Sequence, residues 1–168
     1  NLKLNIKNYL ITNFGKLIIN SKNIKKGDVF IALQGKNTHG NDFVEQALIN
    51  GAKYIITDKE IICKKFHNIL VVDDIYNYLL TIANLKRNKF EGKIIAITGS
   101  VGKTSVKEHL KYFLSTHGNI STAIKSYNNY LGILISLINI DLHSIFAIFE
   151  IGTNNFNEIK KLTSIVMP

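Results

Sequence analysis

Ile94-Ile-Ala-Ile-Thr-Gly-Ser-Val-Gly-Lys-Thr104 is the stretch that decides how this chain is read. Ile94 to Ile97 form a short apolar run of buried-strand type. Thr98, Gly99, Ser100, Val101, Gly102, Lys103 and Thr104 follow at once, and Val106, Leu110, Phe113 and Leu114 then recur at helical spacing. Strand, glycine loop, Lys-Thr and helix are the parts of a phosphate-binding P-loop. Glycines let backbone N–H groups curl around phosphate oxygens, and the helix N-terminus adds partial positive charge. Lys103 would reach the outer phosphates, and the Thr104 hydroxyl would ligate Mg²⁺. Ile97 stands where the longer form of the motif has its first glycine, so the loop is the shortened Gly-x-x-Gly-Lys-Thr. The competing reading is a chance Gly-Lys-Thr turn. The strand before the loop and the helix after it favour a site for a nucleoside triphosphate.

Composition bounds the class. With 168 residues, 46% of them hydrophobic and 20% charged, the chain has the make-up of a soluble globular protein of one generous or two small domains. No apolar run approaches the roughly 18 residues of a membrane helix, so no membrane insertion is expected. Neither is a signal peptide, because the N-terminus mixes polar and apolar residues. Cys63 is the single cysteine, cannot form an internal disulfide and fits a cytoplasmic location. The net charge of +9 invites a nucleic-acid reading. All 21 basic residues except Arg87 are lysines, scattered in short runs without interleaved aromatics. An anionic small molecule is therefore the expected partner, with no nucleic acid.

Strand and helix patterns alternate along the chain. Asp28–Leu33 reads as a strand, and a helix over about Asp42–Asn50 is expected to be capped by Asp42 and ended by Gly51. Lys53–Thr57 and Ile69–Val72 read as strands. A helix opened by Asp73 and Asp74 should bury Ile75, Leu79, Ile82 and Leu85, and Arg87–Gly92 reads as a linker. Beyond it come the P-loop unit, a strand near Ile120, a helix over Leu131–Ile140, the strand Ile145–Glu150, a short helix around Asn157–Thr163 and a strand-like Ile165–Pro168. The expected fold is α/β: a small N-terminal α/β domain over 1–90, then over 91–168 the start of a P-loop domain with a mainly parallel sheet. Too few residues follow Thr104 for a doubly wound domain of about 150 residues. The chain also opens on Asn1, so it is expected to be part of a longer enzyme.

Glu150 is the second chemical candidate. It closes an apolar strand, where open α/β sheets present ligand-binding groups, and its carboxylate could share with Thr104 a Mg²⁺ that bridges phosphates. The alternative is a strand-end glutamate in solvent. Ser126-Tyr-Asn-Asn129 offers neutral amides for nucleotide or substrate, or simply an N-cap and turn. His39, His67, His109, His117 and His143 are dispersed without metal-ligand spacing, and Cys63 reads as a spectator thiol.

Several stretches together resemble one known family. Ala96-Ile-Thr-Gly-Ser-Val-Gly-Lys-Thr-Ser-Val-Lys-Glu108 resembles the P-loop of the Mur ligases. Ser126-Tyr-Asn-Asn-Tyr-Leu-Gly132 is similar to their Asn-Asn-x-x-Gly segment, and Phe149-Glu-Ile-Gly-Thr-Asn154 with Glu158-Ile159 to their Glu-x-Gly-x-Asn…Glu-Ile segment. Upstream, Asn20-Ser-Lys-Asn-Ile-Lys-Lys-Gly-Asp-Val-Phe-Ile-Ala-Leu33 and Gly35-Lys-Asn-Thr-His-Gly-Asn-Asp-Phe43 resemble the motif and loop of their UDP-sugar domain. The order and spacing hold over nearly the whole chain. Departures stand at Asn20, Lys22, His39, Asn41, Asn155 and Asn157, the last where the family often has glycine.

The resemblance implies a UDP-sugar domain over 1–90 and a partial ATP-binding central domain over 91–168. It implies an ATP- and Mg²⁺-dependent amide ligase of peptidoglycan synthesis, most like the branch that joins D-alanyl-D-alanine to UDP-N-acetylmuramoyl-tripeptide through an acyl phosphate. Lys103 and Glu150 would then be catalytic, with Thr104 and Glu150 at the metal. Thr98 to Ser105, together with Asn128 and Asn129, would bind the nucleotide, and Ser21, Gly35 and Gly40 the UDP-sugar. A sister Mur ligase, a folylpolyglutamate-type ligase and a binding module without turnover are the alternatives.

Overall fold

The computed structural model describes residues 1–12, 14–60, 67–123, 128–152 and 157–168. Two compact units divide it, Asn1–Ile82 and Ala83–Pro168. Both are α/β, and among the described residues the strands within each unit pair in parallel.

The first unit carries α1 (Leu2–Ile11), β1 (Leu17–Ile18), β2 (Val29–Ala32), α2 (Val44–Ile49), β3 (Tyr54–Thr57), β4 (Ile69–Val71) and the first half of α3 (Ile75–Lys89). Its strands lie in the order β1-β2-β3-β4. All four residues of β2 are buried, which explains why this strand reads as a continuous apolar run. Phe30, Ala32 and Ile55 pack with Val44 and Ala47 of α2. Sequence periodicity does not announce α1: only Ile6, Leu10 and Ile11 turn inward, and Leu4 is half exposed.

The second unit carries the rest of α3, β5 (Lys93–Ile97), α4 (Lys103–Leu114), β6 (Ile120–Thr122), α5 (Tyr130–Ile138), β7 (Phe146–Glu150) and α6 (Glu158–Val166). The strand order is β5-β7-β6, so the P-loop strand lies beside the strand that ends in Glu150. The core consists of Ile133, Leu134 and Leu137 of α5, Ala147, Ile148 and Phe149 of β7, and Leu162 and Val166 of α6. The helix α5 is buried nearly all round, as its unbroken apolar sequence requires.

Several expectations need correction. Asp42 caps nothing: it lies in a 3₁₀ turn, Gly40–Phe43, whose cap is His39, with Nδ1 accepting from the Asn41 N–H. Gly51 does end α2, at φ 101°. Leu85 is exposed, and Lys86 takes the inward position. Arg87 to Lys89, read as linker, are helical. Arg87 donates to the carbonyls of Val166 and Met167. Ile165 and Val166, read as strand-like, belong to α6. On α4 the apolar spacing predicts a helix correctly but not its buried face. Val106 and Phe113 are exposed, and Lys107 is the one buried residue of that helix.

Lys86 is 1% exposed, and burial depresses its ammonium to about 8, an effect that Asp141 partly opposes and Lys89 reinforces. A cation that binds its proton less tightly when folded weakens the fold below that value. The penalty is relieved as pH rises towards the unfolded value near 10.5. The melting temperature of the wild type should therefore climb by about 3 °C relative to Lys86→Met between pH 8 and 9.5. Thermal scans of both proteins over that range check the sign. Parallel curves would refute it.

Candidate functional site

The site begins where β5 ends. Gly99 sits at φ 150° and Gly102 at φ 78°, dihedrals that L-residues rarely adopt. Nothing lies within 4 Å of where a Cβ on Gly102 would stand, so its conformation, not crowding, asks for glycine there. Gly102 is also the N-cap of α4 and offers no side chain to the first N–H groups of the helix. Those donors and the helix dipole together suit an anion. Thr98, Gly99, Ser100 and Val101 are exposed, Val101 at 87%. Lys103 arches back, its Nζ donating to the Gly99 carbonyl and lying 3.5 Å from that of Ser100. Ser105 follows on the exposed surface of α4.

The strand register brings in the second element. Ile97 pairs with Glu150, and Ile151 N–H donates to the Ile97 carbonyl at 2.8 Å. Loop and carboxylate thus leave the sheet at the same level. Glu150 is 7% exposed. The Thr104 hydroxyl donates to its Oε2 at 3.1 Å. Its Oε1 lies 2.8 Å from Lys107 Nζ, an ion pair that lacks the angular geometry of a hydrogen bond. Glu108, half exposed, stands 3.5 Å from the same ammonium. The Thr104 hydroxyl and the Glu150 carboxylate, facing each other through Oε2, are hard oxygen donors of the kind Mg²⁺ takes, so the residues fit the cation. Sequence reading missed Lys107. Its signal is position, one turn beyond Lys103 and Thr104 on the same helix.

Asn129 caps α5, its Oδ1 accepting from the Gly132 N–H at 2.8 Å. The Asn128 carbonyl accepts from the Gly152 N–H at 3.0 Å, just past Glu150. Both asparagines line a recess of about 110 Å³ with Tyr130, Gly152, Glu158, Lys161 and Leu162. Lys161 Nζ stands 4.1 Å over the Tyr130 ring. Ser126, Tyr127, Asn154, Asn155 and Cys63 lie outside the described residues.

In the first unit, Ser21 is buried; its hydroxyl donates to Gln46 Oε1 and its carbonyl accepts from Asn50. The Gly35 N–H donates to Thr38, closing the loop that runs on to Gly40. A Cβ on Gly40 would come within 2.5 Å of Ala32 Cα, so β2 and this turn meet too closely for any side chain. His39 and Asn41, which depart from the family pattern, join a polar network. Because His39 Nδ1 accepts from a backbone N–H, its Nε2 carries the proton and donates to Asp58 at 2.9 Å. Asn41 Oδ1 accepts from the Thr57 hydroxyl at 2.7 Å. Gln34 and Lys59 join across the same loop.

The model for the Mur ligase middle domain matches residues 97–168. The UDP-N-acetylmuramoyl-tripeptide–D-alanyl-D-alanine ligase of Rickettsia prowazekii (strain Madrid E) is 41% identical over 156 residues, covering 93% of this chain and 34% of that protein. The chain is similar to the Mur ligases over nearly its whole length. A crystal structure of MurF from Acinetobacter baumannii matches with a TM-score of 0.77 at 31% identity, over 91% of this chain and 33% of that one. MurF ligase from Thermotoga maritima, solved in complex with ADP, gives 0.73 at 30% over 93% and 36%. The chain spans about a third of the length of the Mur ligases it matches.

The two glycines constrain the fold differently, and alanine separates them. Gly40→Ala meets backbone and should cost about 3 kcal/mol, whereas Gly102→Ala meets only an unfavourable dihedral and should cost about 1 kcal/mol. Urea midpoints read at constant slope test the ranking, and the reverse order would contradict both assignments.

Proposed function

We propose that this chain is the UDP-sugar-binding and nucleotide-binding part of an ATP-dependent amide ligase that joins D-alanyl-D-alanine to UDP-N-acetylmuramoyl-tripeptide in the cytoplasm. Residues 1–90 would form the UDP-sugar domain, with Ser21, Gly35 and Gly40 at its site, and 91–168 the start of the ATP-binding domain. The observation that carries the reading is the Thr104–Glu150 contact beside the Gly99–Lys103 loop, in a chain 41% identical to a ligase of that name. The ADP-bound relative from Thermotoga maritima supports the nucleotide part.

A carboxylate is a poor electrophile because its leaving group would be oxide. Attack of the substrate carboxylate on the γ-phosphorus of ATP gives an acyl phosphate and releases ADP. The amine of D-alanyl-D-alanine then displaces phosphate through a tetrahedral intermediate, forming the amide and releasing a proton. Within this chain, Lys103 would exchange its carbonyl partners for phosphate oxygens and offset charge that develops during transfer. The backbone donors from Gly99 to Ser105 would cradle the phosphates, with Thr98 at the loop entrance. Thr104 and Glu150 would hold Mg²⁺, which when bound offsets charge on the phosphate oxygens. Asn128 and Asn129 would fix the segment beside the nucleotide, Asn129 through its cap on α5.

Phosphate release by the 168-residue chain with MgATP, UDP-N-acetylmuramoyl-tripeptide and D-alanyl-D-alanine tests the activity, and titration with MgATP tests the site. Lys103→Ala should weaken MgATP binding about a hundredfold, the order for a charged hydrogen bond to phosphate. Release that needs both substrates and disappears in Lys103→Ala establishes the ligase in this chain. Binding without release assigns it a binding role. Equal binding by wild type and Lys103→Ala overturns the nucleotide site.

A further inference from the structure

Lys107 has no part in the reading so far, yet it is 1% exposed and 2.8 Å from the carboxylate that reading places at the metal. A buried ion pair seldom stabilises a fold more than apolar residues of the same volume, so stability alone does not account for lysine here. Geometry offers a reason. Lys107 engages Oε1 of Glu150 and leaves Oε2 facing the Thr104 hydroxyl, so the carboxylate is held from both sides. Charge offers a second. Among the described residues no three His, Cys, Asp or Glu side chains gather as a metal cage. Glu150 is offset by Lys107, and the remaining carboxylate near that ammonium, Glu108, is solvent-screened. Lys103 adds a further positive charge at the loop. Such a site attracts anions and holds a bare divalent cation poorly, until phosphates supply negative charge and further oxygens.

We propose that Lys107 is a positioning residue that holds Glu150 against Thr104 and offsets its charge, so that the loop takes a divalent cation only together with nucleotide phosphates. The proposal rests on the nucleotide-site reading above.

Mn²⁺ binding to the 168-residue chain, followed by electron paramagnetic resonance with and without ATP, is the test. Wild type should bind Mn²⁺ in an ATP-dependent manner that Thr104→Ala abolishes, and should show no protein site without ATP. Lys107→Met should raise affinity for Mn²⁺ in the absence of ATP at least about tenfold, the order expected on removing a unit charge a few ångströms away. Lys107→Arg, which keeps the charge, should restore the wild-type pattern. A merely structural lysine would leave the ATP-free affinity of the folded variant unchanged. That outcome, alongside intact ATP-dependent binding in wild type, overturns this proposal alone. Should Lys107→Met not fold, Glu150→Gln decides. It should lose the ATP-dependent Mn²⁺ and change nothing in its absence, whereas loss of an ATP-free site would overturn the proposal. Wild type that binds no ATP takes down the nucleotide site and this proposal with it.

Discussion

In a parallel sheet each strand is held to its neighbour by an evenly spaced ladder, and here that ladder sets Ile97 opposite Glu150. Both strands end at one level, so the loop after β5 and the carboxylate ending β7 emerge side by side. Thr104 then needs only the first turn of α4 to reach Oε2, and Lys107 only the next turn to reach Oε1. A slip of one residue would set Phe149 or Ile151 opposite Ile97 and turn Glu150 to the other face of the sheet. Ala147, Ile148 and Phe149 are buried on both faces of β7, so such a slip would exchange side chains of different size within a close-packed core. Core packing therefore positions the chemistry.

Much of this was legible in the sequence, for identifiable reasons. A glycine loop between an apolar run and a helix has few other readings, and β2 and β7 announce themselves because both faces are buried. The features that escaped depend on contacts remote in sequence. The helix α1 is marked by only three inward residues in an otherwise mixed stretch. Arg87 looked like linker because its partners, the carbonyls of Val166 and Met167, lie at the far end of the chain. The cap at His39 needs an imidazole acting as acceptor, a role no capping rule assigns to that residue type.

The departures from the family pattern are informative once their neighbours are known. His39 and Asn41 are tied to Asp58 and Thr57 respectively, so the loop after Gly35 is anchored to the end of β3. Asn157, where glycine is common, stands at φ 65° and begins α6. Asparagine is among the few residues that enter this region at modest cost, so the substitution keeps the backbone path glycine would allow. In both places the residue type changes while the local geometry has a physical means of support.

The helix α4 shows why hydrophobic spacing found an element without finding its orientation. Periodicity counts apolar residues, and by that count alone the face rich in Val106 and Phe113 would turn inward, whereas both are exposed. The first turn of α4 is not free to choose. Gly102 fixes its start, and the Thr104 contact with Glu150 fixes its rotation about its own axis. Residues three and four apart share a face, so the rotation that aims Thr104 at Glu150 aims Lys107 there as well. A long aliphatic stem lets lysine fill that buried position while its ammonium meets the carboxylate. The polar demands of the loop outrank the apolar pattern over this helix, and the buried lysine is the visible consequence.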